Sequence, residues 1–289
     1  MADSLTFEGV VFRYPDTAEP ALRELTVSIP GGCKTAVIGH NGSGKSTFFL
    51  HAVGILRPQQ GRVLQAGIPV SYAKKDLAAL RRNVGLVLQD PEQQLILNTP
   101  GEDISFGLRG MGMNEAAIKT RCLEMLDLLK LEELKDKPIH QLSLGQKKRT
   151  ALAGVLAMKP ELLLLDEPTS YLDPLSEAQL LAGLESVHKQ GTTIVMATHD
   201  MNLAYSWADW VIVLDHGACL AAGTPEAVFS GRGGLRALGL ELPLIADLWY
   251  SLPARYTEGR SVPRSAEAFK TMLNQLLVER TEIPEYGMK

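Results

Sequence analysis

Apolar positions along this chain follow two rhythms, and the switches between them outline its architecture. Residues 6–11 and 25–29 are rich in β-branched and aromatic side chains with partial alternation, the period of a half-buried strand. Residues 33–38 form an apolar run that ends in a glycine-rich segment, and residues 45–53 continue as a helix. Strand sequence recurs at 61–66 and 84–88, with a helical stretch over 76–82 between them. From Asp90 the rhythm changes. Ile118, Cys122, Met125, Leu126 and Leu129 recur three and four residues apart, one apolar stripe of a helix, and Asn114 stands where an N-cap belongs. Helices are predicted to dominate residues 103–158, the last of them opening at Gly145. Unbroken apolar runs return at 162–166, 193–198 and 211–214, with a helix over 176–189 between the first two. Runs without alternation predict strands buried on both faces, as in a parallel sheet. The α/β order around them predicts a parallel-sheet core, with the helical block as an insertion. Residues 231–234 read as a break or linker. Beyond them Pro243, Pro253 and Pro263 cut the sequence into short pieces, of which 266–277 is the best helix. This tail reads either as a small helical lid on the main body or as an added dimerisation surface.

Composition narrows the function classes. At 289 residues the chain can bury a full core, one large domain plus an appendage. A net charge of -4 disfavours a phosphate-backbone partner, so no nucleic acid is expected. No apolar run approaches the roughly 18–20 residues that span a bilayer, and Met1–Leu5 lacks the basic start of a secretory signal. The expectation is a cytosolic protein whose membrane role, if any, comes through partners. Cys33, Cys122 and Cys219 are too scattered for a disulfide framework. His40, His51, His140, His188, His199 and His216 show no metal-ligand spacing, so no transition-metal site is expected in the chain itself.

The chemistry begins in the glycine-rich segment. Gly39, His40, Asn41, Gly42, Ser43, Gly44, Lys45, Ser46 and Thr47 fit the phosphate-loop pattern, placed between a strand and a helix as that pattern requires. Its glycines let backbone N–H groups curl round phosphate oxygens at a helix N-terminus, a ready site for ATP. Lys45 is placed to reach the β- and γ-phosphates, Ser46 to ligate Mg²⁺ and Thr47 to lie near the α-phosphate. Downstream, four leucines run into Asp166 and Glu167. Carboxylates at the C-terminal end of a buried strand sit where α/β proteins bind ligands. Asp166 can hold Mg²⁺ and Glu167 can polarise the attacking water.

The segment Leu142-Ser-Leu-Gly-Gln146, shortly before that strand, separates this chain from other phosphate-loop proteins. With Tyr14 in Phe-Arg-Tyr-Pro, Gln89 in Leu-Gln-Asp-Pro, Asp173 in Ser-Tyr-Leu-Asp and His199 in Ala-Thr-His-Asp, it resembles the ATP-binding-cassette (ABC) ATPases from about residue 5 to 229. The resemblance implies an α/β phosphate-loop fold with an N-terminal antiparallel β subdomain. It also implies a helical subdomain near 90–160, a cassette domain over 1–232 and a small helical extension over 233–289. It gives Tyr14 the stacking of adenine, Gln89 a contact with Mg²⁺ or the attacking water, and His199 a contact with the γ-phosphate. Catalysis then falls to Glu167, His199, Gln89 and Lys45. His40 takes a variable position of the loop and receives no chemistry. Ser143, Leu144, Gly145 and Gln146 would act in trans, in a head-to-tail dimer that sandwiches two ATP molecules. Leu144 replaces a glycine of the family pattern, which costs energy if the position needs a positive φ and nothing otherwise.

Within the family, Asp90-Pro-Glu-Gln-Gln94 is similar to energy-coupling-factor importers, and residues 146–149, 153–158 and 197–209 look like cobalt-importer ATPases. That likeness implies ATP and Mg²⁺, a second ATPase subunit read as a copy of this chain, and two transmembrane partners, one coupling and one metal-binding. It places the protein on the cytoplasmic face of the cell membrane, importing cobalt or nickel. A vitamin importer and a soluble cassette remain as alternatives. Leu95, Ile96 and Leu97, near Gln89, read either as a surface for a partner's helix or as core.

Overall fold

Leu162, Leu163, Leu164 and Leu165 are all inaccessible to water, so the strand they build must be covered on both faces, and the rest of the fold provides the cover. The computed structural model describes residues 2–230, 235 and 238–281, with side chains described as far as Leu276. The main sheet runs in the order β10-β9-β3-β8-β7-β6. Its parallel strands are β3 (Lys34–Ile38), β6 (Val84–Val87), β7 (Leu162–Asp166), β8 (Thr193–Thr198) and β9 (Trp210–Asp215). β10 (Ala218–Gly223) adds an antiparallel edge on β9. A second sheet is antiparallel, with β1 (Asp3–Phe12) between β2 (Leu22–Pro30) and β4 (Gln60–Gln65) and the short β5 (Ile68–Pro69) at its edge. The partial alternation of its first strand becomes Leu5, Phe7 and Val10, all fully buried.

Helix α1 (Lys45–Ala52) lies between the two sheets and joins their cores. The Phe48 ring stacks on Phe7 of β1 with centroids 4.4 Å apart, and Phe48 and Phe49 share that core with Leu162 and Leu164 of β7. α2 (Lys74–Asn83) leads into β6, and the predicted insertion follows as α3 (Pro100–Gly110), α4 (Glu115–Leu128) and α5 (Leu144–Ala157). The stripe Ile118, Cys122, Met125 and Leu126 faces Leu152 and Leu156 of α5 in one core. Asn114 caps α4, its Oδ1 accepting from the Ala117 N–H at 2.9 Å. The block starts earlier than predicted because Thr99 caps α3 and Pro100 opens it, where proline's missing N–H costs nothing.

α6 (Pro174–Lys189) connects β7 to β8, and α7 (Met201–Trp207) connects β8 to β9. After α8 (Pro225–Ser230) the tail forms α9 (Leu244–Ser251), α10 (Ala254–Thr257) and α11 (Ala266–Thr281). Leu240 and Ala246 enter the same core as Ala36, Ile38 and Phe229. The Arg264 guanidinium donates to the carbonyls of Tyr205 and Ala208, tying the tail to α7 and the residue after it. The described tail is therefore packed on the main body. The expected break at 231–234 lies outside the described residues. β5 and β10 were not expected, since neither Ile68–Pro69 nor the alanine-rich Ala218–Gly223 has strong strand character.

Candidate active site

The C-terminal ends of β3, β7 and β8 open into a cavity of about 1030 Å³. Tyr14, the loop residues Gly39, His40, Asn41, Gly42, Gly44, Lys45, Ser46 and Thr47, then Gln89, Asp166, Glu167 and His199 all line it. Ser43 does not. It is fully buried, and its backbone N–H donates to the His40 carbonyl, closing the loop's turn from behind the cavity. Gly44 turns the loop into α1 at φ 105, and a Cβ there would sit 2.8 Å from the Ala21 carbonyl oxygen. Only glycine fits.

Lys45 is nearly buried, and its ammonium donates to the Gly39 carbonyl at 2.7 Å and the His40 carbonyl at 3.1 Å. Burial lowers its pKa, opposed by the nearby Glu167 and Asp166 carboxylates. Asp166 shifts the other way. Burial raises its pKa, while a hydrogen bond from the Ser46 hydroxyl and the charge of Lys45 pull it down. The Ser46 hydroxyl, the Asp166 carboxylate and the Gln89 amide oxygen are hard donors lining the same cavity. That donor chemistry suits Mg²⁺.

Glu167 has φ 48, a left-handed backbone that glutamate rarely adopts and that costs about 1–3 kcal/mol. Its N–H donates to the Ala197 carbonyl at 3.1 Å, extending the β7–β8 pairing by one residue before the turn. The Lys148 ammonium holds the other side, donating to the Glu167 carbonyl at 3.0 Å and the Ser170 carbonyl at 2.9 Å. Glu167 Oε2 accepts from the Ser170 hydroxyl at 2.9 Å and from His199 Nδ1 at 2.7 Å. The carboxylate is thus held from two sides while the His199 ring stays two-thirds exposed at the cavity mouth. Lys148 and Ser170 were not foreseen as site residues. Lys148 lies on α5, two residues past Gln146, and its burial at 3% exposure is the signal a sequence does not carry.

One of the remaining expectations shifts in detail. Gln89 was read as ending a strand, but β6 stops at Val87 and Gln89 is an exposed loop residue at the cavity rim. The nearby loop is clamped instead by Gln94, whose amide accepts from the Leu88 N–H at 2.9 Å and donates to the Leu86 carbonyl at 3.2 Å. Tyr14 lines the cavity with its hydroxyl 3.3 Å from Thr47 Oγ1 and its ring edge-on to Phe12. Of the apolar trio, Leu95 packs on the helical core and Ile96 is 61% exposed.

Ser143, Leu144, Gly145, Gln146 and Asp173 do not reach this cavity. Ser143 instead caps α5. Its hydroxyl accepts from the Gln146 N–H at 3.3 Å, and the Gln146 side chain accepts from the Ser143 N–H at 2.9 Å, a reciprocal capping box. Leu144 is the first helical residue and is absent from the positive-φ positions, so its replacement of glycine carries no backbone cost. A Cβ on Gly145 would lie 2.6 Å from Ser176 Oγ, so this glycine lets α5 and α6 touch. Asp173 caps α6, accepting from the Ser176 N–H at 2.9 Å and hydroxyl at 2.7 Å. These bonds lower its pKa.

The structure brings together side chains that lie far apart in the sequence. His40, Asp215 and His216 converge, their ligand-capable atoms all within 4.8 Å of one another. Sequence spacing gave no sign of this, because the contact bridges 175 positions.

A phosphate loop on a parallel sheet, with acidic residues ending β7 one strand beyond β8, defines a P-loop NTPase. Comparison with known proteins narrows this. The ABC transporter family profile matches residues 22–170. The cobalt import ATP-binding protein CbiO of Rhodobacter capsulatus is 42% identical over 275 residues, 94% of this chain and 98% of that protein. The energy-coupling factor transporter ATP-binding protein EcfA of Methanocaldococcus jannaschii is 43% identical over 241 residues, 83% of this chain and 86% of that one. Among solved structures, CbiO1 of Clostridium perfringens, part of the ABC transporter complex cbiONQ, superposes with a TM-score of 0.74 at 39% identity. It covers 86% of this chain and all of that one. The chain belongs to the ABC transporter family, as one of its ATP-hydrolysing cassettes. Among the described residues no helix is long and apolar enough to cross a membrane.

Proposed function

We propose that this chain is the ATP-hydrolysing motor of a membrane importer for cobalt or nickel ions. Two copies work head to tail on the cytoplasmic face, against a transmembrane coupling subunit and a transmembrane metal-binding subunit. The observation that carries the dimer is the separation of Ser143, Gly145 and Gln146 from the cavity that holds Lys45 and Glu167. One copy contributes the phosphate loop, and the other brings the N-terminus of α5, whose free N–H groups favour an anion. CbiO and EcfA, named respectively for cobalt import and for energy coupling, support the importer reading.

In this reading ATP enters with adenine against Tyr14 and its phosphates along the loop. Lys45 leaves the Gly39 and His40 carbonyls for the β- and γ-phosphates, exchanging two neutral acceptors for charged ones. Ser46, Asp166 and Gln89 would hold Mg²⁺, which supplies charge neutralisation on the phosphates. Glu167 orients water for in-line attack on the γ-phosphorus and takes its proton, while ADP leaves with the β–γ bridging oxygen. His199 steadies that carboxylate and faces the γ-phosphate. The left-handed turn at Glu167, clamped by Lys148, keeps the carboxylate from relaxing into the strand. A vitamin importer is the second reading, favoured by the EcfA likeness.

The test is expression with its transmembrane partners in a cobalt-uptake-deficient cell. Radiolabelled Co²⁺ or Ni²⁺ uptake that disappears with Glu167→Gln is the expected result. Vitamin uptake without metal uptake would transfer the assignment to the second reading, and ATPase activity with no membrane partner recovered would remove both.

A further inference from the structure

The turn that joins β9 to β10 carries Asp215 and His216 up to His40 of the phosphate loop. His40 Nε2 lies 2.8 Å from Asp215 Oδ1, and His216 Nε2 lies 3.8 Å from the same oxygen. The two imidazole rings approach edge to face with centroids 5.0 Å apart. Neither Asp215 nor His216 lines the nucleotide cavity.

One hydrogen bond decides how His40 presents itself. Its Nδ1 is 2.7 Å from the Asn41 carbonyl oxygen. A carbonyl only accepts, so Nδ1 carries the hydrogen, and in the neutral ring Nε2 keeps its lone pair. That lone pair faces a carboxylate oxygen at 2.8 Å. Two acceptors this close require a positive centre, either a proton or a metal ion. A second imidazole turned to the same oxygen completes a set of two nitrogens and one carboxylate. The Nδ1–carbonyl bond is the outer contact that typically fixes the ring of a metal-bound histidine.

We propose that His40, Asp215 and His216 form a binding site for a divalent transition ion of the zinc, cobalt or nickel class, and that an ion held there opposes ATP binding. Imidazole nitrogen suits these ions and discriminates against Mg²⁺, which prefers oxygen ligands. Bonds of about 2.0–2.2 Å require an inward swing of His216, a side chain 69% exposed, and some opening of the 2.8 Å contact between His40 and Asp215. The opposition follows from the loop. Lys45 is anchored on the carbonyls of Gly39 and His40, the residue an ion would grip. A nucleotide must draw Lys45 away from those carbonyls, and an ion that pins His40 holds the loop in its nucleotide-free arrangement. Linkage makes the effect mutual, so ATP weakens the ion as the ion weakens ATP. Nothing in this depends on which species the importer carries.

The experiment uses the full-length protein without nucleotide, with Mg²⁺ saturating, titrated with Co²⁺ and followed by calorimetry and visible absorption. One Co²⁺ per chain with nitrogen-ligand absorption is expected. His216→Asn retains a residue that tolerates the left-handed backbone at φ 44. It is expected to weaken Co²⁺ binding by about tenfold or more and to leave ATPase activity without added transition metal at the wild-type level. His40→Gln serves as a second ligand deletion. Saturating Co²⁺ should lower ATP affinity in the wild type and leave it unchanged in His216→Asn. No saturable Co²⁺ binding, or binding untouched by both substitutions, overturns the site. Binding that leaves ATP affinity unchanged overturns the opposition.

Discussion

Glu167 shows how much one residue's backbone can matter. Its left-handed φ and the bonds from Ser170 and His199 aim a carboxylate into the cavity that a relaxed strand end would not present. Glu167→Gln keeps the size and most of the hydrogen bonding but cannot take a proton. Its turnover is expected to fall by about 10²–10⁴, with ATP binding retained and the dimer accumulating closed. Near-normal phosphate release would remove Glu167 from the base role. A second residue carries a pH dependence. His51 is fully buried, with Nδ1 donating to the Thr47 carbonyl at 2.8 Å and Nε2 unpartnered. Burial lowers its pKa, so the fold holds the neutral ring while the unfolded chain binds a proton near pH 6.5, roughly. The unfolded state therefore takes up more protons below that pH. This contribution is complete above it and is lost as pH falls towards the folded pKa. Melting temperature of the wild type should drop more on acidification than that of His51→Gln, and parallel curves would exclude His51 as the source. The loop Gly39–Thr47 and the Asp166–Glu167 pair were legible in sequence because each function is carried by neighbours in the chain. The trio His40, Asp215 and His216 was not, because only the pairing of β3 with β9 brings it together.

At the scale of elements, the periodicities succeeded where burial is one-sided or complete. The α4 stripe and the β7 run became core as their spacing required. Edges were missed, since β5 and β10 owe their existence to pairing with stronger neighbours rather than to their own residues. Helix α5 shows a subtler gap. Gly145, expected to act in trans, is also the contact point between α5 and α6. Gly145→Ala forces a methyl towards Ser176 and is expected to cost about 1–3 kcal/mol, a melting drop of several degrees. Gly145→Ala combined with Ser176→Gly removes the clash but also the Ser176 hydroxyl bond to Asp173, and should recover part of that loss. If the single variant melts like wild type, the helices have room that the packing does not show.

At the scale of the molecule, a complete site needs two copies in the proposed arrangement. Lys45→Ala mixed with Ser143→Arg should restore one intact composite site in each mixed dimer and some ATPase activity, though each variant alone is inactive. No rescue from two folded, dimerising variants would count against the head-to-tail arrangement. Two segments far apart in sequence also line one opening, because Gly239, Leu240, Glu241 and Leu242 border the same cavity as Tyr14. A nucleotide lodged there is a splint between the first strand region and the tail. At a hundredfold excess over its dissociation constant it adds about 2.7 kcal/mol to global stability, and part of that should appear as slower amide exchange in residues 238–250. Exchange there that ignores nucleotide would leave the tail a passive wall. With such a splint, loss of product loosens the join between the Tyr14 loop and the 239–242 segment, and the fuel becomes a structural member of the machine that burns it.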